Sequence, residues 1–225
     1  MQEWQWRRFT CGQWAQGEFG AISDREWRAC AHPGLEIPDG ALGVFVGVDL
    51  GWKRDSTALV AVWRPDGQEV AQVGKPTIIE PPGDGTSLAV EVIFQACARM
   101  AARWPQLTFV IDPMAGGEHL AQRLDGELSG VAVSTHSQGA AAMCQASVRL
   151  SEAIGSGRLL HPDDPALTAH MLAAGVRQVG ESWRFAKQPG KSSRIDACIA
   201  LAMAYSVMVE TTVGSVYDER GLIVI

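Results

Sequence analysis

The sequence predicts an α/β fold. A mixed central sheet begins as a three-stranded antiparallel meander, continues in parallel strands and is flanked by helices, with an added hairpin before the last helix. Three observations predict it. Apolar runs of strand length come first and are joined by tight-turn residues. Strand and helix patterns then alternate from about residue 87 to residue 154, as they do where helical crossovers lay strands parallel. Finally, a turn-centred pair of short runs precedes one long, Ala-rich apolar helix.

Each element has its own signal. Val44 to Asp49 is an apolar run ending in an acid, and Thr57 to Trp63 and about Gln68 to Val73 follow it. Arg64-Pro65-Asp66-Gly67 joins the last two as a hairpin, because Pro presets the turn and Gly accepts a positive φ. Ser87 to Trp104 carries Leu88, Val92, Ala96 and Met100 at helical spacing. Leu107 to Asp112 reads as a buried strand, Gly117 to Leu128 as a short helix, Val131 to Thr135 as a strand, and Gly139 to Ile154 as a long helix. Pro165 to Ala174 is helical after the Asp163-Asp164 start signal. Val176 to Ala186 is a hairpin turning at Gly180-Glu181, and Ser193 to Glu210 is the closing helix.

Composition divides the chain further. Residues 1–42 hold Trp4, Trp6, Trp14 and Trp27, half of the eight tryptophans, and end in Pro33-Gly34 and Pro38-Asp39-Gly40. So many indoles in a short arm need a surface to pack on, so the arm either folds back or docks another domain or chain. Residues 43–210 form the main domain, and residues 211–225 form a loosely attached tail. The chain has 225 residues, of which 47% are hydrophobic and 20% charged, enough for one core. Its net charge of −6 argues against strong unaided nucleic-acid binding, which depends on Lys and Arg neutralising phosphates. Five widely spaced cysteines without C-x-x-C indicate neither a disulfide framework nor a zinc knuckle. The longest apolar stretch, Ile195 to Val209, is too short to span a bilayer and contains Asp196.

Three carboxylates stand where elements end or begin: Asp49 and Asp112 close strands, and Asp196 opens the last helix. Carboxylates that converge repel, and a hard divalent cation such as Mg²⁺ or Mn²⁺ relieves that repulsion. This chemistry suits phosphodiester hydrolysis, in which two ions about 4 Å apart activate a water and stabilise the leaving oxygen. Asp49, between the other two, is the candidate bridging ligand. Asp55 is an auxiliary candidate, and Asp163 and His161 are weaker ones. The blander alternatives are a capping box from Ser193 to Asp196, and ordinary turns at Asp112-Pro113 and Asp49-Leu50-Gly51.

The element order, with acids on the first strand, the fourth strand and a late helix, resembles the ribonuclease-H-like arrangement. Gly47-Val48-Asp49-Leu50-Gly51, Asp55-Ser56-Thr57-Ala58, Val110-Ile111-Asp112-Pro113, Gly116-Gly117 with Leu120, Arg194-Ile195-Asp196-Ala197 and Ala200-Leu201-Ala202 together resemble the nuclease domain of the large terminase subunit of tailed bacteriophages. The resemblance covers roughly residues 43–210, and Arg7-Arg8-Phe9 through Trp14 with Trp27 to Cys30 resemble the linker preceding it. It implies metal-dependent cutting of concatemeric double-stranded DNA during genome packaging, in the cytoplasm of a bacterial host. It also implies that Asp49, Asp112 and Asp196 hold the metal and that an ATPase motor, a small terminase subunit and a portal are partners, with no membrane. The chain contains no G-x-x-x-x-G-K-[ST] loop, so it is either a domain of a longer subunit or a nuclease encoded apart from its motor.

Arg184, Lys187, Lys191 and Arg194 lie with no acid among them directly before Asp196. Such a strip suits DNA phosphates, although a solvated hairpin face has the same composition. The histidines show no ligand spacing, and no Ser or Cys sits in a nucleophile-elbow pattern. Three other readings share some of these features. A junction resolvase or other structure-specific nuclease would use the same acids. An actin-like ATP phosphotransferase would use Asp49-Leu50-Gly51 with Ser56-Thr57 as a phosphate loop. A non-catalytic docking module would use the Trp-rich arm.

Overall fold

A computed structural model of the chain describes residues 20–188 and 193–218, with side chains to residue 211. Trp4, Trp6, Trp14, Lys191 and the end of the tail lie outside the described residues. The central sheet is built on the strands the sequence predicts: β1 (Leu42–Asp49), β2 (Thr57–Trp63), β3 (Ala71–Val73), β5 (Gln106–Ile111) and β6 (Val131–Thr135). Two short strands without a clear sequence signal complete it, β4 (Thr77–Ile79) and β7 (Leu159–Leu160). The order is β6-β5-β1-β2-β3-β7, with β4 also pairing β2. Strands β1, β2 and β3 form the antiparallel meander, while β5 and β6 run parallel to β1.

Alternation along β1 sends its side chains to two cores. Val44, Val46 and Val48 pack with Ile93, Phe94 and Cys97 of α2 (Val90–Arg103) and with Leu120 and Leu124 of α3 (Gly117–Glu127). Phe45 faces the other core, formed by α1 (Asp24–Ala29), α4 (Ala140–Gly155), α5 (Pro165–Ala173) and α6 (Asp196–Asp218). The hairpin of β8 (Ala174–Val179) and β9 (Ser182–Lys187) contributes Trp183 and Phe185 to that core. Helix α6 is buried nearly all round from Ala197 to Met208, which explains its uniformly apolar sequence. It begins at Asp196 and continues to Asp218, starting later and ending later than the sequence suggests.

The described part of the N-terminal arm folds back onto the domain. A capping box between Ser23 and Glu26 starts α1, and Trp27 is fully buried. The Trp27 indole N–H donates to Thr168 Oγ1 at 3.0 Å, and its ring stacks on His161 with centroids 3.7 Å apart. His161 Nδ1 accepts the Asp163 N–H, so its Nε2–H donates to the Trp27 carbonyl at 2.8 Å. Among the described residues, no helix is long and apolar enough to cross a membrane.

Candidate active site

Asp49 and Asp112 stand at the C-terminal end of the parallel strands, where ligand sites of open α/β sheets form. Asp49 is the last residue of β1, and the Val48–Ile111 pairing of β1 with β5 brings Asp112, the next residue, alongside it. Asp196 arrives from above because α6 lies directly on β1. A Cβ added to Gly47 would stand 1.8 Å from the Ala200 carbonyl oxygen, so only glycine permits this approach. Gly47 and Asp49 share one face of the strand, and one turn of α6 separates Ala200 from Asp196.

Asp196 is 3% exposed. Its Oδ2 accepts the Ser56 N–H at 3.1 Å and the Ser56 hydroxyl at 2.5 Å. Its carboxylate is thus bound across to the start of β2, and the helix begins at Asp196 itself, which leaves no capping box with Ser193. His170, on α5, anchors this helix end. Its Nδ1 accepts the Ala197 N–H at 3.0 Å, and burial, the largest influence, holds its pKa below the usual imidazole value, as an acceptor nitrogen requires.

Asp49 is half-buried, and its Oδ1 accepts from Gln138 Nε2 at 2.6 Å. Burial pushes its pKa up to about 7. The Gln138 hydrogen bond opposes that rise, Asp196 and Asp55 add to it, and Lys187 opposes it. Asp55 is exposed and forms an ion pair with Lys187. A cleft of about 680 Å³ lies against Asp49, Asp55, Asp196, Gln138, Arg184 and Lys187.

Asp112 stands at the same sheet end but does not line this cleft. Its Oδ1 accepts the Met114 N–H of its own loop at 3.2 Å. Among the described residues, no three His, Cys, Asp or Glu side chains form a ready-made metal cage. The donor chemistry nevertheless fits a hard cation. Three carboxylates, Asp49, Asp55 and Asp196, line the cleft, and burial first, then the like charges of Asp196 and Asp55, raise the Asp49 pKa to about 7, a repulsion that a hard cation would relieve.

The hairpin supplies the basic wall. Arg177 stands directly opposite Arg184 across the β8–β9 pair, and both line the cleft. Like charges opposed across strands are unfavourable, and the Arg184 Nε is buried with no hydrogen-bond partner among the described residues. Arg194 is instead paired with Glu80, and His161 and Asp163 belong to the Trp27 stack described above. Sequence reasoning misses Gln138, His170 and Arg177, and it names Ser56 only within motifs, not as the partner of Asp196. Only Arg177 carried a usable signal, since the hairpin turn at Gly180-Glu181 sets it opposite Arg184.

The sequence matches no protein-family model and no curated protein. Its fold matches several solved structures. The large terminase of bacteriophage HK97 superposes with a TM-score of 0.69 at 21% identity, over 84% of this chain and 43% of that one. The large terminase nuclease of thermophilic phage G20c with bound magnesium gives 0.64 at 13% identity, over 85% of this chain and 98% of that one. The same nuclease with bound zinc gives 0.57 at 14% identity, over 83% and 97%. The chain thus spans less than half the length of the HK97 protein and nearly the whole of the G20c nuclease. It has the ribonuclease-H-like α/β fold of the nuclease domain of phage large terminases.

Proposed function

We propose that the chain is a divalent-metal-dependent endonuclease that cuts double-stranded DNA during phage genome packaging. The observation that carries this reading is the close seating of α6 on Gly47. It brings buried Asp196 over Asp49 at the sheet end where Asp112 also emerges. Solved nucleases of this fold hold magnesium, cobalt or zinc, which supports metal use here.

Asp49, Asp112 and Asp196 would hold the metal, with Asp55 assisting. A bound pair of Mg²⁺ or Mn²⁺ ions would supply acidity to a water and charge stabilisation to the leaving oxygen of an in-line displacement. The chain's own residues do the positioning. Ser56 fixes one oxygen of Asp196, and Gln138 orients Asp49. Arg177, Arg184 and Lys187 offer donors to the DNA backbone on one side of the cleft, and Lys191 and Arg194 extend this strip in sequence. The HK97 protein's greater length supports a motor domain as partner, with a small terminase subunit and a portal ring completing the machinery.

Conversion of supercoiled plasmid to nicked and linear forms tests the reading. Cutting is expected with Mg²⁺ or Mn²⁺, is expected to stop with EDTA, and is expected to fall at least about a hundredfold in Asp112→Asn. Undiminished cutting in that variant would remove Asp112 from the site.

A further inference from the structure

The loop after Asp112 is built in an unusual way. Ala115 has φ 53°, a left-handed conformation that costs a non-glycine residue energy, and Gly116 follows at φ 91°. The loop is held there by Trp52 of the β1–β2 connection. The Trp52 indole N–H donates to the Ala115 carbonyl at 2.8 Å, and its ring lies 3.2 Å from where a Gly116 Cβ would stand. Two connections that carry candidate acids, Asp55 and Asp112, are therefore fastened together.

The fastened loop presents Met114. It is 71% exposed, the most exposed of the three large hydrophobic side chains in this class among the described residues. Its own N–H is bonded to Asp112, so its position is tied to that acid. Lys53 and Arg54, on the loop that Trp52 secures, are both exposed. An apolar tip on one connection and cations on the connection fastened to it match a groove-binding element, in which apolar residues part base steps and basic ones hold phosphates. The recessed acids supply a reason for it, since Asp196 is buried and Asp49 half-buried. A duplex bent toward them would bring its backbone closer to these recessed acids.

We propose that Met114 is a DNA-contacting wedge that enters the minor groove beside the acids and bends the duplex toward them, with Trp52 as the residue that positions it. This rests on the nuclease reading for its substrate but not for its test, which reads binding rather than cutting.

The experiment uses the full chain with Ca²⁺ and a duplex carrying a fluorescent adenine analogue, following anisotropy for affinity and analogue emission for base unstacking. Met114→Ala is expected to weaken duplex binding about tenfold, the size of one lost apolar contact, and to abolish the emission rise. Met114→Leu is expected to restore both. Because Met114 is exposed, the alanine variant keeps its fold, which a melting curve checks. Duplex binding and emission in Met114→Ala equal to the parent would overturn the proposal, as would a parent that binds no duplex. A parent that shows the Met114-dependent signal yet never cuts plasmid would defeat the nuclease reading and leave the wedge standing.

Discussion

Asp49 sits among groups that pull its proton in opposite directions, and burial prevails. Its pKa rises from 3.8 to about 7, so the folded protein holds a proton through a pH window in which the unfolded chain has lost it. Stability of the metal-free protein therefore falls as pH rises from about 4 to about 7, and the full cost, on the order of 4 kcal/mol, is present above that range. Asp49→Asn removes the charge and keeps the Gln138 contact within reach. In urea unfolding without metal, the variant should gain more stability over the parent at about pH 8 than at about pH 5. An advantage independent of pH would show that Asp49 does not carry this burden. At this scale the sequence was legible where chemistry coincided with an element's end. Asp49 and Asp112 follow apolar runs, and their side-by-side placement follows from strand order. Gln138 and Ser56 were not legible, because a loop glutamine or a buried serine gains meaning only from the carboxylate it meets across the fold.

On the proposed function, the hairpin β8–β9 is the element that would meet the DNA backbone. It opposes Arg177 to Arg184 and ends at Lys187, which is paired with Asp55. A DNA phosphate bound there would relieve the first contact and compete for the second. Replacing Lys187 and Lys191 together by Ala should weaken duplex binding and make its logarithmic salt slope shallower by about 1 per lost phosphate contact. Titration at several salt concentrations measures this, and an unchanged slope would count against the strip. Long elements were legible because burial on one or both faces writes a period into the sequence, as in β1, β2 and α2. Strands of two or three residues such as β4 and β7 contain no full period. Their pairing is dictated by the neighbours they border.

Across the whole molecule, two cores clamp one sheet, and the site lies where three separated segments of chain return to the same edge. Residues 20–41 are part of this construction through Trp27, whose stacking on His161 gives that histidine a structural task. The direction of the arm's fold was not legible from its tryptophan content alone, since a partner surface would bury an indole equally well. The convergence of β1, β5 and α6 depends on Gly47, which makes it a property of the fold rather than of any one loop. The most direct measurement is anomalous scattering from crystals of the chain soaked in Mn²⁺. Density held by Asp49 and Asp196 with Asp112 is the predicted result, lost when Asp49→Asn is soaked in the same way. Crystals with an open site and no Mn²⁺ at these carboxylates, or Mn²⁺ bound only elsewhere, would contradict the account.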